Sequence, residues 1–530
     1  MGVVEKGGQE GFVTRLREVT STDSPWHRRL WRCGTIQLAR ELLDESITPG
    51  VPAGAVEDLR SYATHALKTD PGLGDLRNAV GKAAAAVSPG IATGSHAYVV
   101  LQEHIRRSDA AYLHNWADEF ERGRALDIEG AARRIAAHIL DAGYHRSSLH
   151  TWIRDLQQRP DICTVPDFLR AAAERLARPE RSYIFCVPVA NKPPFAIDAA
   201  TAPGWMTSTD AAGWKRQYAP EAVAVRHQGG FLLEVAARDI NSAADRARTR
   251  IADLQTKFTI GCRGTIHIAP WMWSQDKATA FATHTTNRTL DVRSFERLGR
   301  LPDLGMPDYI TGALALLQPV RTGPAHIAIM SGWSAIESLL VGPDDPDIVA
   351  AERFSLIIAA AMPRGELTRL AHAYIRENDD ALAVELRGCP DNLSRARRFQ
   401  RRLCSDEPLF MSKVTDELAI TRLRPFLVDP AAEIRRTATI LSKEFVRFYR
   451  KRNAIVHGGR THADHLHPLA ETMSPLIGAG IDRIVHVGLR HGVRPIALAA
   501  MTAANLDYLR PATIADPGTL LDLLEVRSRP

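Results

Sequence analysis

The chain has 530 residues, of which 45% are hydrophobic and 24% charged, and carries a net charge of +6. Its length exceeds a single hydrophobic core and predicts about three units. The composition is ordinary for a globular protein, and the lack of any apolar run of about 18 residues excludes a membrane-spanning helix of the usual kind.

The N-terminal stretch MGVVEKGGQEGFVTRL has no uninterrupted apolar core and no small-residue cleavage site, so no secretory signal is expected. Glu5 and Lys6 sit where a myristoylation motif wants a small hydroxyl residue. From there to about residue 180 the pattern is helical. WHRRLWRCGTIQLARELLDES, HAYVVLQEHIRRSDAAYLHNWADEFERG and EGAARRIAAHILDAG each repeat apolar residues at helical spacing. Pro/Gly breaks at 48–50 and 71–74 separate them. YHRSSLHTWIRDL, 144–156, has the size of a short helix–turn–helix element, as a packing helix or a DNA-reading one.

The texture changes near Arg181. SYIFCVPVA, GGFLLEVAA and GTIHIAPWMW are strand-like in length and content. Between the last two runs, Asp239–Phe258 opens with Asp239 as a helix N-cap and continues as an amphipathic helix. Residues 181–290 are therefore expected to form a small α+β domain. Its Trp205, Trp214, Trp271 and Trp273 suit core packing or stacking on bases.

From Ser294 onward the pattern is helical again. IAIMSGWSAIESLLV, 327–341, is nearly all apolar, with Glu337 its only charge. A helix of that kind is buried, and its carboxylate needs a partner. AERFSLIIAAAM, 351–362, marks a second helix. A polar, Arg-rich middle, including SRARRFQRRLC at 394–404, leads to the stretch EFVRFYRKRNAIVHGGRTH, 444–462. Its apolar stripe is helical, and Gly458-Gly459 is a plausible stop. His457 then lies at the negative end of the helix dipole, which eases protonation of its ring. Short helices are expected over 472–489 and 517–526.

The positive charge is concentrated. Residues 391–460 hold sixteen Lys and Arg against eight Asp and Glu, a surplus of eight, so the rest of the chain nets −2. A basic segment of that kind suits a polyanion, although the same residues can solvate helix faces. Arg397, Arg398, Arg401, Arg402, Arg447 and Lys451 are the expected RNA-binding cations. The six cysteines are scattered, with no CxxC, and are read as reduced thiols in a cytoplasm. His462, His465 and His467 form an H-x-x-H-x-H run whose one nearby carboxylate is Asp464, and it is read as a polar loop rather than a metal site. No Walker A, GxGxxG, HExxH or GxSxG pattern occurs. No cofactor and no metal are expected.

Three quoted segments together resemble a HEPN domain, closest to its Apea-like branch: WSAIESLL at 333–340, AERF at 351–354, and FYRKRNAIVHGG at 448–459. The last is similar to that family's signature, in which an Arg followed by a polar residue precedes a His by four intervening residues, here Arg452, Asn453 and His457. The resemblance covers about residues 325–490. It implies a C-terminal HEPN-like helical bundle over 291–515 with an insertion at about 364–441; with the pattern reading of a helical N-terminal region (1–180) and a small central α+β domain (181–290), and a tail over 516–530, the chain is expected to be mainly α. The resemblance implies a homodimer that brings two such motifs into one cleft and cuts RNA without a metal, with Arg452, Asn453 and His457 catalytic and Glu337 supporting. It also implies phage defence or toxin action, with residues 1–290 sensing a phage-derived or cellular trigger. On an ideal helix Arg452 and His457 stand about 140° apart, so either the long Arg452 side chain reaches round or a second copy of the chain supplies the other group, as the dimer that the resemblance implies would allow. The rival readings are a silent RNA-binding or protein-interaction module, a DNA binder using its basic face and residues 144–156, and a modifier of a protein or nucleotide, although no transferase motif occurs.

Overall fold

The computed structural model describes residues 11–123, 127–193, 202–221, 223–284, 287–299, 306–405, 407–461, 466–513 and 518–525. Among them the chain is mainly helical, with one five-stranded antiparallel sheet. None of the described helices is long and apolar enough to cross a membrane.

Eight helices from Phe12–Thr20 to Val165–Ala177 share one core. The longest, His96–Glu121, starts where the Ser95 hydroxyl accepts from the Tyr98 amide, and it buries Leu101, Ile105, Tyr112, Leu113, Trp116 and Phe120 at three- to four-residue spacing. The layer is not sealed off from the rest of the chain. Trp31 belongs to the C-terminal core, and the fully buried Arg28 pairs with Glu18, Glu366 and Asp416.

The sheet comprises β1 (Arg181–Val189), β2 (Trp205–Thr207), β3 (Gly229–Ala237), β4 (Trp271–Ser274) and β5 (Lys277–Ala282), in spatial order β2-β3-β1-β4-β5. β3 and β4 both pair antiparallel with β1, so they run parallel to each other with β1 between them. The helix Ile240–Gly261 connects them and lays Ala243, Ala244, Ala247 and Ile251 on Tyr183, Phe185, Val187, Val235 and Met272. Asp239 caps it as expected, accepting from the amides of Asn241 and Ser242. The tryptophans serve mostly as packing: Trp273 is buried, Trp205 meets Phe231 edge-on, Trp214 lies against Tyr218, and Trp271 is exposed.

The C-terminal bundle is built from Asp308–Thr322, Ala325–Leu340, Val349–Glu377, Pro430–Gly458, Leu466–His491 and Pro495–Leu506. Trp333, Phe354, Phe445, Phe448, Ile477 and Ile484 fill its centre. Gly332 lets two helices approach closely, since a Cβ there would stand 3.1 Å from Phe448 and from Ile477. The helix that begins near Ala351 does not stop at Met362 but runs through Pro363 to Glu377. Proline inside a helix costs about 3 kcal/mol. Burial of Leu367, Leu370, Ala371 and Tyr374 against the helices Asn392–Leu403 and Val414–Val428 offsets that cost and forms a satellite core. The borders of the expected insertion at about 364–441 thus fall inside the helices Val349–Glu377 and Pro430–Gly458. Within the expected tail, Leu520, Leu521, Leu523 and Leu524 are buried, and Glu525 pairs with Arg364 and Arg483.

Candidate functional site

The helix Pro430–Gly458 organises the site. Asp429 caps its start by accepting from the Ala432 amide at 3.0 Å, and Pro430 occupies the first turn, where its missing N–H costs nothing. Gly459 ends it in the left-handed conformation at φ 62°, with its amide returned to the Ile455 carbonyl at 3.1 Å. Ile434, Leu441, Phe445, Phe448 and Ile455 face the core, where Phe445 meets Phe354 edge-on at 5.1 Å between ring centres. The helix's cations then divide between two directions.

One set points inward. Arg447 donates from Nη2 to Glu41 Oε1 at 2.8 Å, and Lys451 Nζ reaches Glu45 at 3.1 Å and Glu41 at 3.5 Å. Arg450 Nε lies 3.2 Å from Glu45. Glu444 accepts from the Cys33 amide at 3.0 Å and from the Tyr62 hydroxyl at 3.2 Å. Burial raises the Glu444 carboxyl, with Arg447 pulling the other way. Burial also works against the Arg447 charge, but Cys33, Glu41 and Glu444 around it outweigh burial and hold the guanidinium protonated. These contacts clamp the helix Thr35–Ser46 onto Pro430–Gly458. The expectation that Arg447 and Lys451 bind RNA is therefore corrected: both are buried, and their charge is spent on glutamates that lie some four hundred residues earlier in the chain. Beside the network, Asp141 accepts from the Gly34 amide at 3.0 Å, and burial pushes its carboxyl up to about 7.

The other set points outward. Arg452, Asn453, Val456 and His457 lie on the last turns, Arg452 and Asn453 half-buried, Val456 49% exposed and His457 also exposed. Arg452 donates from Nη1 to Asn453 Oδ1 at 2.9 Å. Its Nη2 stands 3.9 Å from Glu337 Oε2, a loose approach that leaves donors for another acceptor. Glu337, on Ala325–Leu340, is half-buried rather than fully buried. Its carboxyl is raised by burial and by Asp347, while Arg452 opposes the shift. The structure thus brings Arg452, Asn453 and Glu337 together and leaves His457 one turn further on.

The Arg-rich helix Asn392–Leu403 is engaged locally. Arg397 pairs with Asp522, Arg398 with Glu385 and Arg402 with Glu407, while Arg401 is exposed. The helix Arg146–Gln157 within the 144–156 stretch buries Leu149, Ile153 and Leu156, the packing role. Of the histidine run, His462 and His465 lie outside the described residues, as does Asp464. His467 opens the helix Leu466–His491 and meets Asp245 of the α+β domain and His145 of the N-terminal layer. Burial lowers and Asp245 raises the basicity of His467, with a net rise. Sequence reasoning missed this grouping because its three members share no spacing.

Comparison of the chain with protein-family models, with curated proteins and with solved structures returns no match.

Proposed function

We propose that the protein is a metal-independent endoribonuclease whose catalytic groups are Arg452, Asn453 and His457. The reading rests on the outward face of Pro430–Gly458, where a guanidinium with spare donors, a carboxamide and an exposed imidazole sit within two turns. In the proposed reaction the RNA 2′-oxygen attacks the adjacent phosphorus, the bond to the 5′-oxygen breaks, and a 2′,3′-cyclic phosphate and a 5′-hydroxyl result. The proton lost from the 2′-oxygen is balanced by one delivered to the 5′-oxygen. The exposed His457 imidazole serves one of these transfers. The Arg452 guanidinium stabilises the added negative charge on the phosphate with paired donors, and Glu337 and Asn453 hold that guanidinium in place.

Arg452 and His457 diverge by about 140° around the helix, so one chain does not converge both on one phosphate. Val456, exposed between them, suits burial against a second copy. The active form is therefore a homodimer acting in the cytoplasm, with RNA as substrate. The helical and α+β regions before residue 290 restrain it until a phage-derived or cellular trigger binds, as befits defence or toxin action. The test is incubation of purified protein with total RNA in EDTA. Fragments ending in cyclic phosphate, lost in His457→Ala, are expected. Intact RNA with retained binding would assign a silent RNA-binding module, and cleavage that requires a metal would contradict the proposed chemistry.

A further inference from the structure

We infer that His145, Asp245 and His467 form a binding site for a first-row divalent cation, with Zn2+ as the probe of choice. Each offers one ligand atom, and these atoms lie within 4.8 Å of one another. His467 Nε2 is 3.0 Å from Asp245 Oδ2, and His145 Nε2 is 3.4 Å from the same oxygen. Bonds of about 2.0–2.1 Å in a tetrahedral zinc site place ligand atoms about 3.3 Å apart, so small adjustments suffice.

Two further observations point to a ligand. Asp245 Oδ2 and His467 Nε2 are both buried, and the ring nitrogens of His467 and His145 converge on that one carboxylate oxygen at 3.0 and 3.4 Å. A divalent cation takes the place of the protons that such a cluster shares. The three residues also line a cavity of about 450 Å3 together with Ser242, Thr249 and Asp253, which leaves room for water on the remaining coordination positions. The supporting shell is in place. Asp245 Oδ1 is held by Arg248, which leaves Oδ2 for the cation, and Arg288 is itself paired with Glu471, one turn after His467.

Two contacts oppose the cation: the His467–Asp245 ion pair at 3.0 Å gives up its proton before Nε2 can ligate, and the second lies at His145. His145 Nδ1 accepts from the Ser147 amide at 3.1 Å as a helix cap, and ligation through Nε2 moves the proton to Nδ1 and gives that contact up. Loss of a cap weakens the site by about tenfold relative to an unopposed one. The three ligands come from the N-terminal layer, the helix behind the sheet and the C-terminal bundle, so an ion here ties all three regions together. This inference does not depend on the ribonuclease reading.

The experiment is titration of the metal-stripped full chain with Zn2+ by calorimetry, and with Co2+ by visible absorption, which reports the coordination geometry. One ion per chain, a rise in melting temperature, and at least about tenfold weaker binding in His145→Ala and in Asp245→Asn are expected. His145→Ala keeps the test valid if Asp245→Asn fails to fold, because His145 is partly exposed and at a helix end. Absence of saturable binding would overturn the inference. So would binding that survives both variants but is lost in the double variant His462→Ala/His465→Ala.

Discussion

The two sides of the helix Pro430–Gly458 carry similar residues to opposite ends. Arg447, Arg450 and Lys451 are buried against Glu41, Glu45 and Glu444. Arg452, half-buried and only loosely held by Glu337, and the exposed His457 lie one and six residues beyond Lys451. A cation's place in a basic stretch thus says little about whether its charge is available. What decides is whether a neighbouring element places an acid against it, as Glu41 and Glu45 are placed against Arg447, Arg450 and Lys451. The inward side fastens the N-terminal layer to the bundle, and the last turns carry the residues proposed for catalysis.

The largest effect expected on the outward side is on the reaction. His457→Ala should lower the RNA cleavage rate by about 10²–10⁴-fold, the usual worth of a proton-transferring group, with no change in melting temperature. A normal rate would move the catalytic role off this face. On the inward side, Glu41→Gln leaves Arg447 and Lys451 with one acid fewer in a buried site. Denaturant unfolding should show a loss of about 3–5 kcal/mol, and a loss below about 1 kcal/mol would mean that the clamp is not structural.

Asp141 adds a pH dependence to the inward side. Its folded pKa is raised from 3.8 to about 7, so between those values the native state binds more protons than the unfolded chain. Stability from this group is therefore present below about pH 4 and is lost as pH rises towards 7. Asp141→Asn removes the ionisation while keeping an acceptor for the Gly34 amide. The variant should gain stability relative to wild type progressively from pH 4 to pH 7 in parallel denaturant melts, and a flat difference would contradict the burial argument. The smallest effect is at the surface: Arg398→Ala breaks its pair with Glu385 and should change stability by less than about 1 kcal/mol.

Much of the architecture was legible because it rests on local patterns. The mainly helical chain with a small α+β part follows from apolar residues at helical spacing around 96–121 and 325–340 and from the β-branched runs at β1 and β3. The Asp239 cap and the Gly459 stop were likewise local. What failed was long-range. Nothing near Arg447 or Lys451 in the sequence points to Glu41 and Glu45, so the charge surplus read as a surface. The second helix was legible only through Met362, because its further half is held by a satellite core formed by later residues. The His145–Asp245–His467 grouping was invisible for the same reason, since three regions must fold before its ligand atoms meet.

The central claim is that the outward face is half of a site completed by a second copy of the chain. The most direct test mixes Arg452→Ala and His457→Ala proteins, each inactive alone, under conditions that exchange protomers, and measures RNA cleavage in EDTA. A composite site regains one intact Arg452–His457 pair across each mixed dimer, so cleavage should return to a measurable fraction of wild type. If the mixture stays as inactive as its parts while exchange is shown to occur, the two residues do not act across a dimer and the account is wrong.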